Sequence, residues 1–212
     1  MTRVKVKVCG IRSLDEARAA QDLGVDALGF NFWEHSPRYI TPDSAGEMIG
    51  SLSPFVACVG VFVNEDPTRV REFHLKSGLS AVQLHGDETP DYCRALAPIK
   101  SIKAFRIRAG FNPASVRAFP VAAILLDAGV SGKFGGTGES FDWRIALDVK
   151  EYAHVILAGG LTFENVADAI SRIRPAAIDV CSGIEAEPGR KDLGKMKRFM
   201  AEVDKANSLL VN

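Results

Sequence analysis

Cys9 and Asp127 carry the two functional groups in this 212-residue sequence best suited to a divided acid–base task. A thiolate can take a proton from carbon, and a protonated carboxyl can give one to oxygen. That division needs a thiol held below its usual pKa of about 8.5 and a carboxyl held above its usual value of about 3.9. Each residue also has a plainer reading. Cys9 serves equally as a small buried hydrophobe, and Asp127 as a loop cap or ion-pair partner. Two glycine-containing stretches, Gly159-Gly160 and Cys181-Ser182-Gly183, have the make-up of a phosphate cradle, because glycine lets backbone N–H groups approach the oxygens. Their plainer role is to turn the chain. Arg38, in Ser36-Pro37-Arg38, carries a planar fork that can hold a carboxylate through two bonds, or it lies at the surface. His85 either meets a substrate hydroxyl or caps a strand end. Cys58 and Cys93 read as structural. His35, His74, His85 and His154 form no ligand set, and the four cysteines contain no C-x-x-C pair. Neither a metal nor a cofactor is expected.

These groups need elements to bring them together. Short apolar runs recur about every 20 to 30 residues: 4–8, 27–32, 55–63, 81–84, 99–105, 121–126, 155–158 and 176–180. Near-continuous apolar runs suit parallel strands covered on both faces. Helix starts follow them. Ser13-Leu14-Asp15-Glu16 reads as a capping box with Glu16 reaching back, and Thr41-Pro42, Asp66-Pro67, Thr89-Pro90 and Asn112-Pro113 each set a capping side chain before a proline. Later helices show apolar faces at Val166, Ile170 and Ile173, and at Met196, Phe199, Met200 and Val203. Strand, cap and helix repeated eight times predict an α/β protein: one (βα)8 TIM barrel domain over residues 1–212, with short loops and one longer glycine-rich connection at 128–142. An open doubly wound sheet is the competing arrangement.

In such a barrel the site lies at the C-terminal ends of the strands. The expected mouth residues are Cys9, Phe32 with Arg38, Asn64, His85, Arg106 or Arg108, Asp127, Gly159-Gly160 and Cys181-Ser182-Gly183. The loops after the seventh and eighth strands are where barrels commonly bind phosphate.

Composition narrows the classes. Lys plus Arg equals Asp plus Glu at 26 each, so the basic stripe of a nucleic-acid binder is not expected. No apolar stretch reaches the length of a membrane helix, and the opening Met-Thr-Arg-Val-Lys-Val-Lys-Val lacks the apolar core of a signal peptide. A reduced cytoplasmic protein, monomer or homodimer, acting on a small phosphorylated molecule is the expectation.

The same segments resemble the phosphoribosylanthranilate isomerase family of tryptophan biosynthesis. The likeness runs through Lys7-Val8-Cys9-Gly10, Gly29-Phe30-Asn31-Phe32, Ser36-Pro37-Arg38, Val59 to Asn64 and Gln83-Leu84-His85-Gly86. It continues through Leu126-Asp127, Gly135 to Gly138, Phe141-Asp142-Trp143, Leu157 to Leu161, Asp179-Val180, Ser182-Gly183, Glu185 and Pro188 to Asp192. The resemblance implies a cofactor-free Amadori rearrangement with Asp127 as general acid and Cys9 as general base. It implies Arg38 on the anthranilate carboxylate and Gly160, Ser182 and Gly183 around the phosphate. Asp179 and His85 match polar residues near the substrate. Three positions depart from the family pattern: Arg12 where threonine is common, Phe163 for a frequent proline, and Cys181 where serine or asparagine is usual.

Other phosphosugar barrels compete. An indole-glycerol-phosphate synthase would need a lysine acid at the mouth, for which Lys7 and Lys103 are poor matches; a histidine-pathway isomerase is a second. A non-catalytic phosphometabolite-binding barrel would keep the glycine loops and need neither Cys9 nor Asp127.

Overall fold

The computed structural model describes residues 3–128 and 143–210. Eight parallel strands close on themselves in sequence order: β1 Lys5–Cys9, β2 Ala27–Asn31, β3 Ala57–Phe62, β4 Ala81–Leu84, β5 Ser101–Ile107, β6 Ala123–Ala128, β7 Val155–Leu157 and β8 Ala177–Val180. Closure is made by β1, which pairs with β2 on one side and β8 on the other. The closed ring decides against the open sheet. Every expected apolar run overlaps its strand, and β1, β5 and β6 each extend one or two residues past the run's end.

The helices follow: α1 Leu14–Asp22, α2 Pro42–Gly50, α3 Pro67–Ser77, α4 Pro90–Ala95, α5 Arg144–Lys150, α6 Val166–Ile173 and α7 Leu193–Leu210. Four of their starts are chemically marked. The side chains of Ser13, Thr41, Asp66 and Thr89 each accept a hydrogen bond from an N–H of the first turn, and three of these caps precede a proline. Two expectations are corrected. Glu16 does not close a box on Ser13. Its carboxylate accepts instead from the Arg12 N–H at 3.0 Å and from the Lys191 N–H at 2.8 Å, because a strand arriving near the C-terminus presents a buried N–H that needs an acceptor. Asn112-Pro113 opens a 3₁₀ turn over Pro113–Ala118, not an α-helix; the tighter turn suits a six-residue connector.

Between β8 and α7 lie a 3₁₀ turn, Ser182–Ile184, and a small hairpin, β9 Glu185–Glu187 with β10 Arg190–Lys191. The longer connection expected at 128–142 falls almost wholly outside the described residues.

Two apolar layers hold the ring. The larger lies between strands and helices and includes Val6, Val8, Ile178, Val180, Phe199 and Val203. The smaller, Ala104, Leu125, Ile156 and Ala158, sits inside the barrel. Because side chains alternate across a strand, the residues between the outward Val6, Val8, Ile178 and Val180 point inward: Lys7, Cys9, Asp179 and, one step beyond β8, Cys181.

Candidate active site

One cleft opens at the C-terminal ends of the strands and encloses about 700 Å³, counting its open mouth, within the range of small-molecule sites. Cys9, Arg38, His85, Asp127, Gly159, Gly160, Asp179, Ser182 and Gly183 all line it. Asn31, Trp33, Gln83 and Cys181 line it as well.

At its floor, Lys7 Nζ donates to Asp179 Oδ1 at 2.8 Å, a buried pair joining β1 to β8. Burial works against the Lys7 ammonium, but Asp179 and the Cys9 sulfur outweigh it and raise its pKa. Burial pushes the Asp179 carboxyl up to about 7, Lys7 opposing and the charges of Cys9 and Asp127 adding to the rise. Cys9 stands above this pair. Gly29 faces it across β2, where an added Cβ would come within 2.9 Å of Cys9 Sγ and 3.1 Å of Lys7 Nζ, so glycine leaves room for both groups. The Cys9 thiol is held well below its ordinary range. A hydrogen bond from Cys181 is the largest cause, burial opposes it, and Lys7 and Lys191 reinforce it.

Across the mouth, Asp127 on β6 is 5% exposed, with Oδ2 3.2 Å from His85 Nε2. The Gln83 side-chain amide meets His85 Nδ1 at 2.9 Å, and the other ring nitrogen, Nε2, lies beside Asp127. Gln83 thereby orients His85, which in turn faces Asp127.

Arg38 reaches in from the loop after β2. Its Nε and Nη2 donate to Glu185 Oε1 and Oε2 at 2.8 and 2.7 Å. Lys191 Nζ, fully buried, donates to the same Oε1 at 3.0 Å. Burial opposes the Glu185 charge, yet Arg38 and Lys191 prevail and hold its pKa below the usual range. The fork expected to meet a carboxylate therefore already holds one of the protein's own. Gly10 makes room for it: with φ +80°, an added Cβ would lie 2.6 Å from Arg38 Cδ.

On the remaining side, Gly159 and Gly160 take positive φ after β7. Asn165 pins that loop, donating to Gly160 O at 2.8 Å and accepting from Thr162 N at 2.9 Å. Gly183 packs so tightly that a Cβ would fall 1.9 Å from Leu161 O, which locks the two loops together.

Some expected mouth residues do other work. Phe32 packs against Phe62 and Phe73. Asn64 accepts from the Asp87 N–H at 2.6 Å and so ties neighbouring loops. Arg106 pairs with Asp87. Lys103 donates to Glu88 at 2.7 Å and to the Leu84 and Gly86 carbonyls, outside the cleft. With Lys7 committed to Asp179, neither lysine stands as the acid a synthase would need. Among the described residues, no three of His, Cys, Asp and Glu converge where they could hold a metal ion, and no helix is long and apolar enough to cross a membrane.

Reading the residues missed the roles of Gln83, Glu185 and Lys191. Glu185 and Lys191 stood in matched segments, but nothing in their spacing announces that a hairpin folds them under Arg38.

Residues 6–202 match the family model described as N-(5'phosphoribosyl)anthranilate (PRA) isomerase. An N-(5'-phosphoribosyl)anthranilate isomerase from Trichlorobacter lovleyi is 47% identical, covering 96% of this chain and 99% of its own. The phosphoribosyl anthranilate isomerase of Thermus thermophilus superposes with a TM-score of 0.88 at 35% identity, over 95% of this chain and 99% of that one. A second structure, of such an isomerase in complex with reduced 1-(o-carboxyphenylamino)-1-deoxyribulose 5-phosphate, superposes at 0.83 with 40% identity, over 95% and 99% of the two chains.

Proposed function

The chain belongs to the N-(5'-phosphoribosyl)anthranilate isomerase family of tryptophan biosynthesis, and from that premise we propose how its residues carry the isomerisation. The substrate is N-(5-phosphoribosyl)anthranilate and the product 1-(2-carboxyphenylamino)-1-deoxyribulose 5-phosphate. Asp127 protonates the furanose ring oxygen as the C1′–O bond breaks, and the nitrogen lone pair forms the Schiff base. Cys9 removes the C2′ proton, and the electrons of that C–H bond move toward nitrogen to give an enolamine. Tautomerisation to the ketone completes the rearrangement with no net change in atoms or oxidation. The observation that carries this reading is the placement of Cys9 and Asp127 on β1 and β6 at one cleft, whose far rim is two glycine loops.

Supporting roles follow from position. His85 faces Asp127 and can exchange a hydrogen bond with it or with a sugar hydroxyl. Asp179 keeps Lys7 beneath Cys9 and lines the substrate's path. Gly159, Gly160, Ser182 and Gly183 offer backbone donors to the phosphate. Arg38 meets the anthranilate carboxylate, with Glu185 holding its fork in place until substrate arrives. Four free cysteines fit a reducing cytoplasm. The assembly is a monomer or a homodimer, which sedimentation velocity distinguishes.

The decisive assay generates phosphoribosylanthranilate in situ and follows the loss of its fluorescence on adding the protein. Turnover is expected without added metal or cofactor. No turnover would overturn the reading in favour of a binding barrel or another substrate.

A further inference from the structure

Neither proton transfer uses Cys181, yet the fold seats it beside the base. Lys5 to Val8 pair in step with Ala177 to Val180, so the next position of the register sets Cys9 alongside Cys181. Alternation turns both sulfurs inward, one layer above the Lys7–Asp179 pair, and both residues line the cleft. The packing is close. An added Cβ on Gly10, the residue after Cys9, would lie 3.3 Å from Cys181 Sγ.

We propose that Cys181 is a positioning residue for this reaction: its S–H donates to the Cys9 sulfur, holding that sulfur as the anion and turned toward the proton it removes. The proposal rests on the reading of Cys9 as base.

The proton on Cys181 has a competing acceptor, Glu185 Oε1, at 3.9 Å. That oxygen already accepts from Arg38 Nε and Lys191 Nζ. Two cationic donors at short range satisfy it better than a long thiol contact, which leaves the S–H to Cys9. A thiol is a weak donor, but a charged acceptor strengthens the bond. The two thiols are driven apart. Donation to Cys9 and burial raise Cys181, so it keeps its proton, while Lys191 Nζ, 3.8 Å from its sulfur, acts the other way. The charged groups around the pair support one anion and no more. Lys7 on β1, Lys191 on β10 and Arg38 after β2 bring positive charge. Asp179 on β8 and Glu185 on β9 are each engaged with one or two of these cations. Asp127 on β6, with His85 after β4, faces them from across the mouth.

The test is the pH dependence of Cys9 alkylation by iodoacetamide, followed by peptide mass spectrometry in parent, Cys181→Ala and Cys181→Ser proteins. Cys58 and Cys93 are buried with raised pKa values and do not compete below pH 8. The alanine variant is expected to move the midpoint alkaline by about one pH unit, the usual worth of one hydrogen bond, and to lower kcat/KM at neutral pH by up to about tenfold. Serine, still a donor, returns most of the shift. A packing role would lower the melting temperature of the alanine variant and leave the midpoint alone. An unmoved midpoint, or a serine variant shifted as far as alanine, overturns the proposal. Should alanine not fold, Cys181→Val removes the donor at similar volume and is read the same way. Alkylation reports the sulfur whether or not it is the base. A failure here is thus separate from a failure of the catalytic reading, which full turnover in Cys9→Ala would signal.

Discussion

Lys7 Nζ lies 2.8 Å from Asp179 Oδ1, with the two side chains 4% and 7% exposed, so the floor of the cleft is an ion pair with almost no water. Above the Asp179 pKa of about 7, where both groups are charged, removing one partner strands the other's charge. Lys7→Met and Asp179→Ala are each expected to cost about 3–5 kcal/mol, read as a lowered midpoint in guanidinium unfolding. A loss below about 1 kcal/mol in both would mean that water reaches the floor.

The same pair gives stability a pH dependence of definite sign. Asp179 holds its proton to about pH 7 in the folded chain, against 3.8 for the free side chain. A raised carboxyl pKa favours the folded state at low pH, and that contribution is lost as pH rises from the lower value through the upper. The stability difference between the parent and Asp179→Asn should therefore change chiefly between about pH 4 and 7. Parallel stability curves across that window would contradict the raised value.

Cys9→Ala and Asp127→Asn should each lower turnover by at least about 10²-fold, the usual scale for loss of a general acid or base. Circular dichroism should remain that of the parent. Near-normal turnover in either variant would remove that residue from its role.

Arg38 and Glu185 form a two-bond pair that is largely buried. Arg38→Ala is expected to raise KM more than it lowers kcat, because the fork binds a group remote from the proton transfers. Glu185→Gln should act on the same quantity, and the double variant should fall short of the summed effects by about 0.5–3 kcal/mol. Additivity would mean that Glu185 does not set the fork.

Gly183→Ala asks whether the two glycine loops act as one unit. The new methyl meets Leu161 O at 1.9 Å, so backbone must shift. A loss of about 1–3 kcal/mol is expected, with weaker competitive inhibition by inorganic phosphate. A stable variant with unchanged phosphate inhibition would place the anion elsewhere.

Much of the site was legible because β/α repetition converts position into place. Once Val4–Val8 reads as a strand, Cys9 must stand at its end, and the same holds for Asp127 and for both glycine pairs. What alternation predicts for Lys7, a shared face with Cys9, the structure bears out. Pairings across the ring were not legible. Asp179 reads as a residue near substrate until β8 closes on β1, and Cys181 reads as a departure from pattern until the register sets it beside Cys9. Glu16 shows the same limit: its local spacing suits a capping box, while one of its two actual partners, the Lys191 N–H, lies 175 residues away. Local chemistry specifies the elements, and closure chooses the partners.

The alternation along β1 and β8 has a consequence for how such a protein can change over generations. Val6, Val8, Ile178 and Val180 face the helices and hold the ring; Cys9 and Asp179 on the same two strands face the cleft, with Lys7 paired to Asp179 beneath. Neighbouring codons thus answer to different demands, one to solubility and yield, the next to chemistry. A lineage can exchange serine for cysteine at position 181, or retune the charges around it, while the residues that keep the barrel folded are inherited untouched.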